Sequence, residues 1–149
     1  MRTILLSFIF VLFSSCRKGC PRVWFSKGII VQEISFGTCI PIPPNLPQTE
    51  YIIDNDTVYQ QLLSNSVCSG YTLPAIDFAQ YTLLGKYATG QCKVDFHRQV
   101  TKDDAAKTYN FTIYVCDRGI CKSAAISMNW VTVPKLPQGY TVTFTVKQD

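Results

Sequence analysis

The strongest constraint on the fold of this chain is a two-residue alternation of apolar and polar side chains in its second half. The alternation is clearest near the end, where Tyr140, Val142, Phe144 and Val146 are separated by threonines and followed by Lys147. Successive side chains of a β-strand point to opposite faces of the sheet. This segment is therefore predicted to be a strand with one face on a core and the other in solvent.

The same reasoning predicts strands along most of the sequence. Because the strands are joined by short connections, neighbours are expected to pair mostly in antiparallel fashion. We expect an α+β fold dominated by β-structure, with a mostly antiparallel sheet or partial barrel and one short helix. The predicted strands are residues 28–37, 51–53, 81–87, 92–100, 109–116, 121–126, 129–133 and 140–147.

The one predicted helix begins near Thr57. Thr57 and Gln60 have the spacing of a capping box, in which both side chains accept hydrogen bonds from free backbone amides at the helix start. Asp54 or Asp56 could cap the helix instead, and the helix is expected to end near Asn65. Its apolar face would consist of Val58 and Leu62, with Tyr59 as a third candidate.

Thr57 also belongs to a modification motif. Asp56-Thr57-Val58 resembles the short acceptor sequence for O-glycosylation in Bacteroidetes, an acid followed by a hydroxyl residue and an apolar residue. The resemblance implies that Thr57 is a candidate O-glycosylation site as well as a candidate helix cap.

The N-terminus has the three-part form of a secretory signal. Arg2 is followed by an apolar stretch at residues 4–13 and by two serines directly before Cys16. The stretch is about ten residues long, whereas a membrane-spanning helix needs roughly 20. Residues 12–16 resemble the lipobox of bacterial lipoproteins, in the form found in Bacteroidetes. The resemblance implies a signal peptide at residues 1–15, a lipid on Cys16, a tether at residues 16–27 and a single β-rich domain at residues 28–149.

The lipid makes the membrane a predicted partner. Two or more acyl chains are enough for stable anchoring. Arg17, Lys18 and Gly19 lack the acidic run that resembles a surface-export signal in Bacteroidetes lipoproteins. We therefore expect anchoring to the outer membrane on its periplasmic face, with surface exposure as the alternative.

Six cysteines remain when Cys16 is assigned to lipid, an even number that predicts a disulfide-stabilised fold in an oxidising compartment. Cys116 and Cys121 flank Arg118-Gly119, which could form a two-residue hairpin turn and bring the two thiols together. The other pairings stay open among the 15 connectivities of six cysteines. Cys39 with Cys68 and Cys20 with Cys92 is one of the alternatives.

The sequence gives no reason to predict a metal, a cofactor or nucleic-acid binding. His97 is the only histidine and no Cys-x-x-Cys pair is present, so the usual zinc ligands are lacking. Asp103 and Asp104 lack the spacing of a calcium loop. The 14 basic and 10 acidic residues are scattered, without the clustered lysines and arginines of a nucleic-acid interface.

Asp95 and His97 are the strongest candidates for catalysis. They are two residues apart on a predicted strand and share one face, where the acid could orient the imidazole for base catalysis. A nucleophile would be needed nearby, and no Gly-x-Ser-x-Gly elbow exists. A solvent-facing strand is the ordinary setting for such residues, so we predict that the protein is not an enzyme.

Several short segments resemble the C-terminal domain of the PrcB family of bacterial protease-complex lipoproteins. They are Leu73-Pro74-Ala75-Ile76-Asp77-Phe78, residues 81–85, Thr89-Gly90 and Pro134-Lys135. In this pattern Asp77 would brace a turn, Phe78 would enter the core and Gly90 would permit a tight reversal. The match would cover roughly residues 50–147, and it departs at Gln91-Cys92 and in the cysteines. The resemblance implies a module that binds or supports an extracytoplasmic protein, and it carries no catalytic residue across.

The sequence thus predicts a lipid-anchored, non-enzymatic protein-interaction module, with an unidentified envelope protein or protease as partner. One alternative is a protease-inhibitor-like or carbohydrate-binding module, which an exposed aromatic platform would favour. Another is a hydrolase that uses Asp95 and His97. The aromatic side chains that could form the platform are Trp24, Tyr71, Tyr87 and Trp130.

Overall fold

The computed structural model describes residues 26–36, 49–64, 72–118 and 123–148. These residues form seven strands and one helix. The strands are β1 (Gln32–Ile34), β2 (Glu50–Ile53), β3 (Tyr81–Gln91), β4 (Lys93–Asp103), β5 (Thr108–Arg118), β6 (Ala124–Pro134) and β7 (Thr141–Gln148), and the helix is α1 (Asp56–Ser64). The predicted signal peptide and the predicted tether up to residue 25 lie outside the described residues, as do Cys39, Cys68, Tyr71 and Cys121. This part of the tether includes Cys16, Cys20 and Trp24.

The strands form two sheets that pack face to face. One sheet has the order β1-β6-β3-β2 and the other β4-β5-β7. Across the two sheets, β3 contacts β5 and β6 contacts β4. Since β2 lies beside β3 and β7 lies beside β5, these two edge strands face each other at one side of the molecule. The prediction of a β-dominated fold with one short helix is confirmed. The partial barrel is wrong, since neither sheet closes on itself.

Four of the five strand pairings among the described residues are antiparallel, as expected. The exception is β5 with β7, which run parallel. The strand between them in sequence, β6, belongs to the other sheet. By passing through the four-stranded sheet as β6, the chain returns to the three-stranded sheet with β7 running in the same direction as β5. A tight hairpin cannot produce such a parallel pair.

The main core lies between the sheets and follows the alternation expected of two-faced strands. Its β5 members show the period most clearly, since every second side chain from Tyr109 to Val115 is buried. The buried residues of this core are Leu84, Ala88, Val100, Tyr109, Phe111, Ile113, Val115, Val131 and Val133.

A second core covers the outer face of the four-stranded sheet. Trp130 lies at its centre, where its ring makes an edge contact with Phe36 at 5.5 Å between centroids. The helix contributes Tyr59, which is 2 % exposed and donates a hydrogen bond to the Pro74 carbonyl at 2.9 Å. The buried members are Ile34, Phe36, Tyr51, Ile53, Tyr59, Leu83 and Trp130.

Three details of the predicted strands are corrected. The segment predicted at residues 28–37 is regular only over β1, because Gly28 adopts a positive φ of 66° and bridges to Val100 of β4. Residues 124–126 of one predicted strand and the predicted strand at residues 129–133 belong to the single strand β6. The strands on either side of the hairpin predicted around Arg118, β5 and β6, belong to different sheets, and its residues Gly119 and Cys121 lie outside the described residues.

The helix is present, but its predicted cap is wrong. The side-chain oxygen of Asn55 accepts a hydrogen bond from the Val58 amide at 2.9 Å, which makes Asn55 the N-cap. Thr57 is exposed in the first turn. Val58 was predicted to be buried but is 43 % exposed, whereas Tyr59 and the partly buried Leu62 pack on the second core. In the described segments no helix has the length and apolar character needed to cross a membrane.

Candidate functional site

Asp95 and His97 share the face of β4 that points away from the main core, as predicted. Asp95 lies opposite Cys116 of β5, and His97 lies opposite Tyr114. The Asp95 carboxylate forms an ion pair with Arg118 at 2.5 Å. Polar side chains on this face are expected, because the intervening residues of β4 pack on the core.

This face offers the hydrolase alternative little support. Cys116, the nucleophilic side chain across from Asp95, is 0 % exposed, so a substrate could not reach its thiol from solvent. One oxygen of the Asp95 carboxylate is occupied by the ion pair with Arg118. Within the described ranges, no group of three His, Cys, Asp or Glu side chains could hold a metal ion.

The fold buries one of the four aromatic side chains that could form a binding platform. Trp130 is 2 % exposed at the centre of the second core, so it cannot contribute to a binding surface. Tyr87 is half-buried on β3. Trp24 and Tyr71 lie outside the described residues, so their part in the platform is a prediction only.

The predicted polar turn at residues 101–107 links β4 and β5 and positions the start of β7. The Asp103 carboxylate accepts a hydrogen bond from the Ala106 amide at 2.9 Å. Asp104 accepts one from the Tyr140 hydroxyl at 2.5 Å and pairs with Lys102 at 2.6 Å. The hydrogen bond from Lys102, followed by that from Tyr140, lowers the pKa of the Asp104 carboxyl, and the carboxylate in turn raises the pKa of Tyr140. These contacts fix the turn against the segment that leads into β7.

The most distinctive feature of the molecule is the free edge of β7. The Thr141 amide donates to the Lys107 carbonyl at 3.0 Å, which sets the phase of the parallel ladder with β5. In such a ladder alternate residues point their amide and carbonyl groups to opposite sides. The backbone groups of Val142, Phe144 and Val146 therefore point away from β5, and within the described residues no hydrogen bond is made to them.

This edge lacks the features that usually protect an edge strand. Natural sheets shield their edges with proline, bulges, short strands or charged side chains. β7 spans eight residues in continuous register with β5, contains no proline and carries its one charge at Lys147, near its end. Val146 points toward the space between the sheets and is nevertheless 39 % exposed. The edge is therefore accessible to another extended chain.

The opposite side of the molecule is closed by the segment that precedes and includes β1. The Ile29 amide donates to Val100 of β4 at 2.8 Å, and the Val31 amide donates to Thr132 of β6 at 2.9 Å. Glu33 adds ion pairs with Lys27 and with Arg98 of β4. This segment therefore connects the two sheets on this side. Among the described residues, no segment connects the sheets in the same way at β2 and β7.

The residues that carried the family resemblance take up defined roles. The Asp77 carboxylate accepts hydrogen bonds from the Ala79 amide at 2.9 Å and from Gln80, so it braces the turn as predicted. Phe78 packs on the second core against Tyr59. Gly90 does not form the reversal, which is made by Cys92 at a φ of 60°. These roles describe the local structure and do not test the family.

No family model matches this chain, and no curated protein or solved structure is significantly similar to it.

Proposed function

We propose that this chain is a lipid-anchored, disulfide-stabilised protein of the cell envelope that has no catalytic activity and binds another protein through the edge of β7. The observation that carries the proposal is the row of free amide and carbonyl groups at Val142, Phe144 and Val146. An extended polypeptide satisfies such a row by adding a strand to the sheet.

The proposed anchor is compatible with this edge being accessible. Cys16 would carry the lipid, and the tether would end near Ser26, whose carbonyl accepts a hydrogen bond from the Gln99 side chain of β4. β4 and β7 form opposite edges of their sheet. A chain that arrives at β4 therefore enters the domain at the edge opposite β7, which no other described strand pairs with on its outer side. The proposed location is the periplasmic face of the outer membrane, and the PrcB-like segments suggest an envelope protease or its complex as partner.

The disulfides and the glycosylation stay part of the proposal. Of the six cysteines assigned to disulfides, Cys92 and Cys116 lie in the described residues, and each predicted pair includes a cysteine outside them. The predictions are Cys116 with Cys121, and as one alternative Cys20 with Cys92 and Cys39 with Cys68. Thr57 is exposed and is not the helix cap, which leaves its hydroxyl accessible for O-glycosylation.

A proline substitution tests the β7 edge. In V146P the amide that points to solvent is removed, whereas the ladder to β5, formed by the alternate residues, is kept. The matched control V146A also shortens the side chain but retains the amide. We expect a photo-crosslinker at the exposed position 143 to capture the same envelope protein in V146A, and the comparison of V146P with V146A isolates the amide, because both variants shorten the side chain at position 146. Proline at position 146 should reduce capture roughly tenfold, the effect of about one or two lost hydrogen bonds.

Thermal unfolding of each variant must show that the sheet is intact. If V146P keeps the native fold and is crosslinked as efficiently as V146A, the partner does not use this edge and the proposal is wrong.

The anchor has a separate test. Mass spectrometry of the mature N-terminus should find acylated Cys16 as the first residue, and C16A should abolish acylation and membrane association. An unmodified Cys16, or cleavage at another position, would contradict the lipoprotein assignment.

A further inference from the structure

The side of the molecule at β2 and β7 exposes residues that face the space between the sheets. Ile52 of β2 lies opposite Leu84, a member of the main core, and is itself 46 % exposed. Val146 of β7 lies opposite the buried Ile113 and is 39 % exposed. We call the region between the facing edges of β2 and β7, bordered by Ile52 and Val146, the open slot.

The open slot selects for main chain rather than for a lipid or a small apolar ligand. The free backbone groups of β7 repeat at every second residue, about 7 Å apart. Only an extended polypeptide presents donors and acceptors at that repeat. Its alternate side chains would point into the open slot, against Ile52 and Val146, and those between them would point outward beside the threonines of β7.

Two lysines mark the ends of this edge. Lys107 is exposed and its carbonyl accepts the Thr141 amide, which places it at the start of β7. Lys147 is exposed near the other end, with its Nζ 5.5 Å from the centre of the Tyr114 ring. Neither lysine forms an ion pair with a described carboxylate. The six residue steps from Thr141 to Lys147 separate the two charges by roughly 20 Å.

These charges disfavour a second copy of this chain as the occupant. If two β7 strands paired antiparallel over residues 141–147, each Lys147 would lie opposite Thr141 of the copy. It would then lie beside the Lys107 of that copy, and like charges at both ends would oppose the pairing. A strand with acidic ends would have the opposite effect.

We propose that the occupant of the β7 edge is an extended segment of another protein, with apolar side chains at alternate positions and an acidic residue near each end. This inference rests on the proposed function, because it names the partner of the same edge. The apolar side chains cover the open slot, and the acidic residues meet Lys107 and Lys147.

Synthetic peptides test the inference on the mature, lipidated protein in nanodiscs. The first peptide has three valine–threonine pairs and a final valine between two glutamates. The second replaces both glutamates by lysines, and the third keeps the composition of the first but groups the valines together. Binding is measured by fluorescence anisotropy with a dye at the peptide end. We expect the first peptide to bind at least tenfold more tightly than the other two.

Two matched variants separate the open slot from the rest of the surface. I52S removes an apolar side chain of the open slot without altering β7, and should weaken the first peptide roughly five- to tenfold. V58S removes an exposed apolar side chain of similar exposure on α1 and should leave binding unchanged. K147Q should reduce the preference for glutamate over lysine ends.

The outcomes distinguish the inference from the proposed function. If I52S binds like the native protein, or if the lysine peptide binds as well as the glutamate peptide, the inference is wrong. In that case the proposed function is still supported if V146A binds the peptides and V146P does not. If V146P and V146A bind all peptides equally, the β7 edge is not the site and both fail. Dimers seen by sedimentation that V146P dissociates, with no peptide bound, would make a second copy the occupant and would also overturn the inference.

Discussion

Glu33 joins the two sheets on the closed side of the molecule. Its carboxylate is 2.7 Å from Lys27 through one oxygen and 2.7 Å from Arg98 through the other. The hydrogen bond from Lys27 lowers the pKa of Glu33, desolvation acts against it, and the charge of Arg98 lowers it further. The Nε atom of Arg98 is buried without a partner, so Glu33 is the group that compensates this guanidinium.

We therefore expect E33Q to lower the free energy of unfolding at neutral pH by about 1 kcal/mol, the sum of two partly exposed ion pairs. Because the pKa of Glu33 is lower in the folded state, its stabilisation is present above the unfolded value, near 4.5, and is lost as the pH falls through the folded value. Urea unfolding at pH 7 and at pH 3 measures both effects, and the difference in stability between the native protein and E33Q should be smaller at the lower pH.

The control for this prediction is D95N, which removes the single ion pair between Asp95 and Arg118, two side chains that are 40 % and 60 % exposed. Its effect should be smaller than that of E33Q. A difference between E33Q and the native protein that is the same at both pH values would show that the Glu33 charge does not stabilise the fold.

Single residues also show how far the sequence could be interpreted. The brace at Asp77 was predictable because it involves only neighbours in the chain. Gly90 was assigned to a reversal, but its role is close packing: a Cβ there would lie 2.5 Å from Val94 and 2.6 Å from the Asp117 carboxylate. That contact depends on strands of the other sheet, which no local pattern in the sequence specifies.

The helix provides the clearest prediction at the scale of an element. The Asn55 side chain caps α1 by accepting the Val58 amide, whereas Thr57 lies two residues too far into the helix to do so. We expect N55A to lower the free energy of unfolding by about 1 kcal/mol and T57A to change it by no more than a few tenths. Urea unfolding of the two variants checks this. Equal effects, or a larger effect for T57A, would contradict the assignment of the cap.

The alternating pattern predicted most strands, but not where each one ends. β6 is predicted as two strands, at residues 121–126 and 129–133, whereas the structure continues one strand through Ser127 and Met128. Asn129 is in fact buried, and its side-chain amide donates to the carbonyls of Lys86 and Ser127 at 3.3 Å. The partner carbonyl of Lys86 lies 43 residues away in the sequence, so the local pattern does not specify this contact with β3.

At the scale of the whole molecule, the described residues form a sandwich with one closed and one open side. The closed side is tied by the hydrogen bonds of Ile29 and Val31 to β4 and β6. The open side exposes Ile52, Val146 and the free edge of β7. The proposed anchor therefore lies at the closed side, next to β4, and the proposed binding edge at the open side, along β7.

The sequence predicted β7 as a strand but gave no signal that it is an edge. Edge position follows from the order of strands in the sheet. That order depends on β6 crossing to the other sheet and on the parallel pairing of β5 with β7. The one hint was composition, since residues 140–146 carry no charge and no proline in a strand that proves to be unpaired on one side.

The central claim, a free β7 edge ready to accept a strand, is tested most directly by hydrogen exchange of its backbone amides, followed by NMR on the isolated protein. The account predicts an alternation: the amides of Thr143 and Thr145, bonded to β5, should exchange roughly a hundredfold more slowly than those of Val142, Phe144 and Val146. The amides of the central strand β5 should all be protected and serve as the control. Uniform protection along β7 would mean that its edge is already covered, and would contradict the account.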